Sequence, residues 1–341
     1  MSNLFYIKFS KFDTLSLSCP AFSRYVLFLY LCSMKTTMKK LFPYLVMAAL
    51  ASAAASCTFF DNQRTPAGYV RHCVRLLDRD GLYADSPEWK LKKEEVLSKA
   101  KTITTMEEAH SCVEEAGHVA GGKHTFLFAP VKDTASYPEQ APEASLLDGD
   151  ILHIVLPAHT GVKVSDSLYI HTVFDFLQEH LDAKGVIVDL RNNTGGNMYP
   201  MITAVSPLLP DGDILKFKSR KRTTFIPLDY VVQSCGLALE SIGKLPASTP
   251  IALLMNAMTG SSGEATLLCF RGLDNVKTFG GPSAGYASSN MTHLLADGYL
   301  FAITTSCDVA RTGEIFCDDP IDPDVPTDTP LEDAVRWIQA Q

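Results

Sequence analysis

The chain holds nine cysteines, yet no two stand at CxxC spacing, so no zinc site is expected and no metal enters the reading. It has no GK[ST] loop, and no GxGxxG opens a helix after a strand. Nucleotide and dinucleotide cofactors are therefore not expected, and no organic cofactor is assigned. There are no internal repeats, and the leader's apolar run is too short for a convincing membrane span. Positive charge is scarce. Six of the 30 basic residues lie in residues 1–56 with one of the 38 acidic ones, Asp13, which leaves 24 against 37 and a net charge of −13. So acidic a body is expected to avoid nucleic acid and anionic lipid surfaces.

What is present is ordinary globular material. The 341 residues are 46% hydrophobic and 20% charged, enough for one large domain or one with a small satellite. Met38-Lys39-Lys40 and the apolar run 41–55 read as a secretion signal. Residues 1–37, upstream of it, are set aside, and Met38 or Met34 is the expected start. Ala54-Ala55-Ser56-Cys57 reads as a lipobox with Cys57 as the lipidated residue, or as ordinary signal cleavage before a plain thiol. Membrane attachment would then come from the anchor alone, in the cell envelope. In that oxidising setting Cys73–Cys112 and Cys307–Cys317 are the disulfides local geometry permits.

Residues 57–66 read as a tether and 67–125 as a small helical domain. Its helices lie near 68–78, 87–100 and 105–117, the second opened by Ser86-Pro87-Glu88 and the third by a Thr105/Glu108 capping box. The segment 126–148 reads as a linker with a short strand at 126–128. From 149 to 341 strands alternate with helices: strands at 151–156, 186–190 and 251–255, helices at 168–183, 198–208 and 228–242, a strand pair within 214–226, and a hairpin at Asp297-Gly298. Apolar strands separated by helices imply an α/β core on a largely parallel sheet.

The chemistry gathers at turns. Residues 251–255 form an apolar strand, residues 265–270 favour helix, and Thr259-Gly260-Ser261-Ser262-Gly263-Glu264 lies between them. A serine at a helix N-terminus meets outward N–H groups and the positive end of the helix dipole. It can serve as a nucleophile or only as an N-cap. Asn193-Thr194-Gly195-Gly196 ends the buried strand 186–190. Its glycines leave backbone N–H groups unobstructed for an oxyanion, with Ser262 N–H as a second donor. The α/β-hydrolase elbow does not fit, because Glu264 stands where the pattern around Ser262 needs glycine.

These blocks, in this order, resemble the tail-specific or C-terminal processing serine peptidases. The likeness is closest to the branch related to the tricorn core and the retinoid-binding modules. Asp189-Leu190-Arg191-Asn192-Asn193-Thr194-Gly195-Gly196 is similar to the family's "DLRxNxGG", residues 259–264 to its "TxSxxE", and Gly280-Gly281-Pro282-Ser283-Ala284-Gly285 to its "PTxG" loop. The resemblance implies a crotonase-like spiral α/β core (a ββα superhelix) behind a small N-terminal helical domain. It also implies a nucleophile at Ser261 and oxyanion donors at Gly195, Gly196 and Ser262. Tyr286 occupies the place of the lysine base of one branch. The other branch's histidine falls on His124, in His124-Thr125, which is the expected general base. Asp318 or Asp319 would supply the acid, or Glu264 would orient the site instead, and no PDZ module fits between His124 and Ile151. The expectation is an exported, lipid-anchored serine peptidase that acts on a peptide or protein through an acyl-enzyme. The alternative is a non-catalytic binder of a peptide or small ligand on the same fold.

Overall fold

A strand apolar on both sides must be covered on both sides, and two such strands sit at the centre of the main sheet. The computed structural model describes residues 62–131 and 139–341. Cys57, the signal and most of the tether lie outside the described residues. β4 (Gly185–Asp189) and β7 (Ile251–Met255) are buried at every position and pair in parallel, Val186 opposite Ile251. The sheet runs β12 (Val325–Pro326), β8 (Val276–Gly280), β7, β4, β3 (Ile151–Val155), β2 (Glu143–Leu147), with antiparallel pairing at β2.

Alternate residues of these strands enter two cores. Leu152, Ile154, Val186, Val188 and Leu253 face α4 (Asp166–Glu179), α5 (Met198–Ala204), α6 (Leu228–Ser234) and α7 (Ser262–Leu268). Ile151, Ile187, Ala252 and Leu254 face Ala334 and Ile338 of α8 (Pro330–Gln339).

The helical region is α1 (Pro66–Asp80), α2 (Pro87–Lys99) and α3 (Met106–Gly121). Each begins with a hydroxyl cap, Thr65, Ser86 and Thr105, and Glu108 completes the box at the third. Their apolar faces pack on a second, antiparallel sheet. It consists of β1 (Phe126–Phe128), β10 (Leu300–Val309), β5 (Asp213–Ser219) and β6 (Thr223–Pro227), with β9 (Ser288–Leu294) and β11 (Ile315–Phe316) also on β10. Leu127, Phe301 and Ile303 from this sheet share one core with Trp89, Val113 and Ala116.

The α/β core behind a helical region is therefore as expected, and several details differ. The segment 126–148 is not a plain linker, because β1 pairs with β10 and β2 with β3. The helices do not close on themselves either: they and the rest of the described chain form one unit. The expected helix 228–242 stops at Ser234, and Gly236 follows at φ +83°. The helix from 198 yields to a 3-10 turn, Ser206–Leu208, where Pro207 supplies no N–H. Cys307–Cys317 is a disulfide. Cys73 and Cys112 are instead free, fully buried thiols in the helical core, packed as small apolar groups. Among the described residues no helix is long and apolar enough to cross a membrane.

Phe301 is fully buried where helices meet sheet. Phe301→Ala should cost about 3–5 kcal/mol, read as a fall in the urea midpoint without a change of slope.

Candidate active site

Two turns at the carboxyl ends of β4 and β7 are bound to each other. Gly260 N–H donates to Asn193 O at 2.8 Å, Thr259 Oγ1 to Leu190 O at 2.8 Å, and Asn256 Nδ2 to Asn192 Oδ1 at 3.0 Å. This apposition brings Gly195 against Ser261. A Cβ at Gly195 would lie 2.6 Å from Ser261 Cβ and 3.1 Å from its Oγ. Gly196 is closed in from the other side, where a Cβ would come within 1.9 Å of His159 O. The His159 backbone pairs across both glycines: His159 N–H donates to Gly195 O at 3.0 Å, and Asn197 N–H to His159 O at 2.6 Å.

Ser261 precedes α7 but lacks the extended backbone of an ordinary cap. It sits at φ +54°, ψ −118°, a sparsely populated conformation for a non-glycine residue that costs about 1–3 kcal/mol. The carboxylate of Glu264, one turn into the helix and fully buried, holds it there. Glu264 accepts Ser261 N–H at 2.9 Å, Gly285 N–H at 2.8 Å, Tyr286 N–H at 2.7 Å and the Ser283 hydroxyl. Burial pushes its pKa up, and these four donors pull the other way. Asp308 is buried beside it. Burial and the Glu264 charge raise the Asp308 pKa well above the carboxylate range.

Three oxyanion donors were expected, and the structure corrects one. Gly195 N–H is taken by the side chain of Asn193, 2.9 Å to Oδ1. The positive φ of Gly195, +103°, closes an Asx-type turn. Gly196 and Ser262 N–H donate to no other described residue. The Ser262 hydroxyl bonds Gly196 O at 2.7 Å and ties the glycine turn to the head of α7.

His124 lies three residues past the end of α3 and is 7% exposed. Its centroid lies 5.2 Å from that of Tyr286 and 6.1 Å from that of Phe126. Tyr286 also borders the serine turn, with Cδ2 3.8 Å from where a Gly260 Cβ would stand. Burial pushes the His124 pKa down to about 4, against a hydrogen bond with the Ser288 backbone that raises it, and the Lys123 ammonium adds to the lowering. That ammonium lies 4.7 Å above the Tyr286 ring and donates to Ala284 O at 3.2 Å. The loop that lacks its own lysine is therefore capped by one from the histidine segment.

Neither expected acid reaches the imidazole. Asp318 Oδ2 accepts the Tyr83 phenol at 2.9 Å and lies under Gly122, so it braces the helical region rather than the base. Glu264 is committed to its four donors. The group on His124 Nδ1 is the Ser288 hydroxyl, at 2.8 Å. Sequence reasoning passed over Ser288, since a serine opening a strand carries no signal of its own. Among the described residues no three His, Cys, Asp or Glu side chains converge as metal ligands would.

Residues 160–327 match the model of peptidase family S41, a class of serine peptidases. Nisin-resistance protein of Lactococcus lactis subsp. lactis is 35% identical over 282 residues, 81% of this chain and 88% of that protein. A lipoprotein of Streptococcus agalactiae superposes with a TM-score of 0.74 at 31% identity, over 81% of this chain and 96% of that one. The photosystem II D1 C-terminal processing protease, at 13% identity and a TM-score of 0.56, covers 80% of this chain and 97% of its own, and shares the fold. The chain belongs to peptidase family S41.

Gly195→Ala should force Ser261 aside. The rate of covalent labelling by a fluorophosphonate is expected to fall about a hundredfold or more, the cost of an ångström-scale displacement, with the far-UV circular dichroism unchanged.

Proposed function

We propose that this chain is an active serine peptidase of the cell envelope that cleaves peptides through an acyl-enzyme on Ser261. The observation that carries the reading is the hydroxyl of a strained Ser261 set against a glycine turn. Two amides beside it, Gly196 and Ser262, are uncommitted among the described residues. In this reading His124 Nε2 takes the Ser261 proton as Oγ attacks the scissile carbonyl. The two amides receive the oxyanion, and the imidazolium then protonates the leaving amine. Water, deprotonated by the same imidazole, releases the acyl group. Glu264 acts as a positioning residue, since its carboxylate fixes the Ser261 backbone and the loop that carries Tyr286.

The name of the Lactococcus relative points to nisin as the kind of peptide to try, and the Streptococcus relative is a lipoprotein. Lipidation at Cys57 fits the same setting, and release of Cys57→Ser from the membrane fraction tests it. A non-catalytic binder is the second reading. It is favoured by the lack, among the described residues, of any carboxylate bonded to the His124 ring.

Fluorophosphonate labelling separates the two. The wild-type chain should label and Ser261→Ala should not, and only the former should fragment nisin by mass spectrometry. The base must be neutral to work, so the rate rises with pH through the His124 pKa. With that pKa pushed down to about 4, the acid limb should lie near pH 4 instead of the 6.5 of a free imidazole. Unlabelled, correctly folded wild type would favour the binder.

A further inference from the structure

We propose that Ser288 is the residue that orients the His124 imidazole, filling with a neutral hydroxyl the place a carboxylate takes in a Ser-His-acid triad. This rests on His124 being the base. The contact is short, 2.8 Å from His124 Nδ1 to Ser288 Oγ, and both residues are buried. The Ser288 backbone also bonds the ring, so both the hydroxyl and the main chain of this one residue address the imidazole. Around it stand the Lys123 ammonium, the Tyr286 and Phe126 rings and this hydroxyl. The carboxylates that might have served are committed to other donors, Glu264 to four of them and Asp318 to Tyr83.

The hydroxyl is fixed in space by its strand. Ser288 opens β9 and lies directly across from Cys307 of β10, which is covalently joined to Cys317. Its own N–H donates to Tyr286 O at 2.8 Å. Two residues further along β9, Asn290 Nδ2 donates to His124 O at 3.0 Å. One strand therefore grips the histidine twice, by ring and by backbone.

The chemistry follows from the tautomer. With hydrogen on Nδ1 donated to Ser288 Oγ, Nε2 keeps its lone pair for the Ser261 proton. Unlike a carboxylate, which only accepts, a hydroxyl can accept from Nδ1–H or donate to a bare Nδ1. It therefore holds the ring in place without imposing this tautomer, and it adds no negative charge to stabilise the imidazolium. The ring thus stays an easily aimed but weak base.

The test uses the full chain and a fluorophosphonate, with the second-order labelling rate measured against pH. Ser288→Ala should slow labelling by about ten- to a hundredfold, a share of what general-base assistance supplies, with an unchanged thermal midpoint. Ser288→Thr, which keeps the hydroxyl, should stay within about threefold of wild type, inside the range an intact hydrogen bond allows. Ser288→Asp should move the acid limb upward, because a charge beside Nδ1 favours the protonated ring. Nitrogen NMR of the wild-type imidazole reads the tautomer without mutation: His124 should carry its hydrogen on Nδ1 at pH 7. A ring protonated on Nε2 overturns the proposal, and so does a folded Ser288→Ala that labels at the wild-type rate with an unmoved acid limb. Labelling that survives Ser261→Ala would instead overturn the peptidase reading and leave the tautomer measurement to decide the role of Ser288.

Discussion

A carboxylate buried out of reach of water is costly unless hydrogen bonds replace its hydration, and the active-site region is assembled around one that is so satisfied. Glu264 draws in donors from two places: the serine turn through Ser261 N–H, and the 280–286 loop that leads into β9 through the Ser283 hydroxyl, Gly285 N–H and Tyr286 N–H. Each donor would be stranded without it, at about 1–3 kcal/mol apiece. The arrangement extends outward, since Ser283 Oγ also accepts Ile321 N–H at 2.8 Å and so ties in the segment that follows the disulfide. The unusual backbone at Ser261 persists because several bonds specify it at once.

Two apolar cores meet at this point. The serine and the glycine turn belong to the parallel sheet and its helices, while the histidine leaves α3 for the antiparallel sheet whose core includes Phe301 and Trp89. Chain segments far apart in sequence are brought together through β10, which pairs with β1, β5, β9 and β11. A parallel α/β sheet offers its ligands the carboxyl ends of its strands. Here the turns after β4 and β7 occupy that edge, and Tyr286 stands between the serine turn and the His124 ring.

Much of this could be read from the sequence where the signal is local. Ser261 stands out because glycine and serine interrupt an apolar strand and a helix, and Glu264 because it lies one turn further on. The parallel core was legible from runs such as 251–255, apolar at every position. Features set by pairing between distant segments were not. β1 is three residues long and means nothing until β10 is beside it. Ser288 meets His124 through the register of β9 on β10, which no local pattern encodes. The amide of Gly195 was expected to be free, and an Asx-type turn from Asn193 captures it. Cys73 and Cys112 had the spacing for a bond yet serve as filling within the helical core.

The link between Tyr83 and Asp318 has a further bearing. It pins the loop after α1 to the irregular segment that follows the disulfide, directly beneath Gly122 and two residues from the imidazole. The helical bundle is thus more than a cover: its seat on the sheet sets where the ring lies. A displacement of that phenol would therefore shift the segment carrying His124 while leaving the serine turn and its bonds to Glu264 intact.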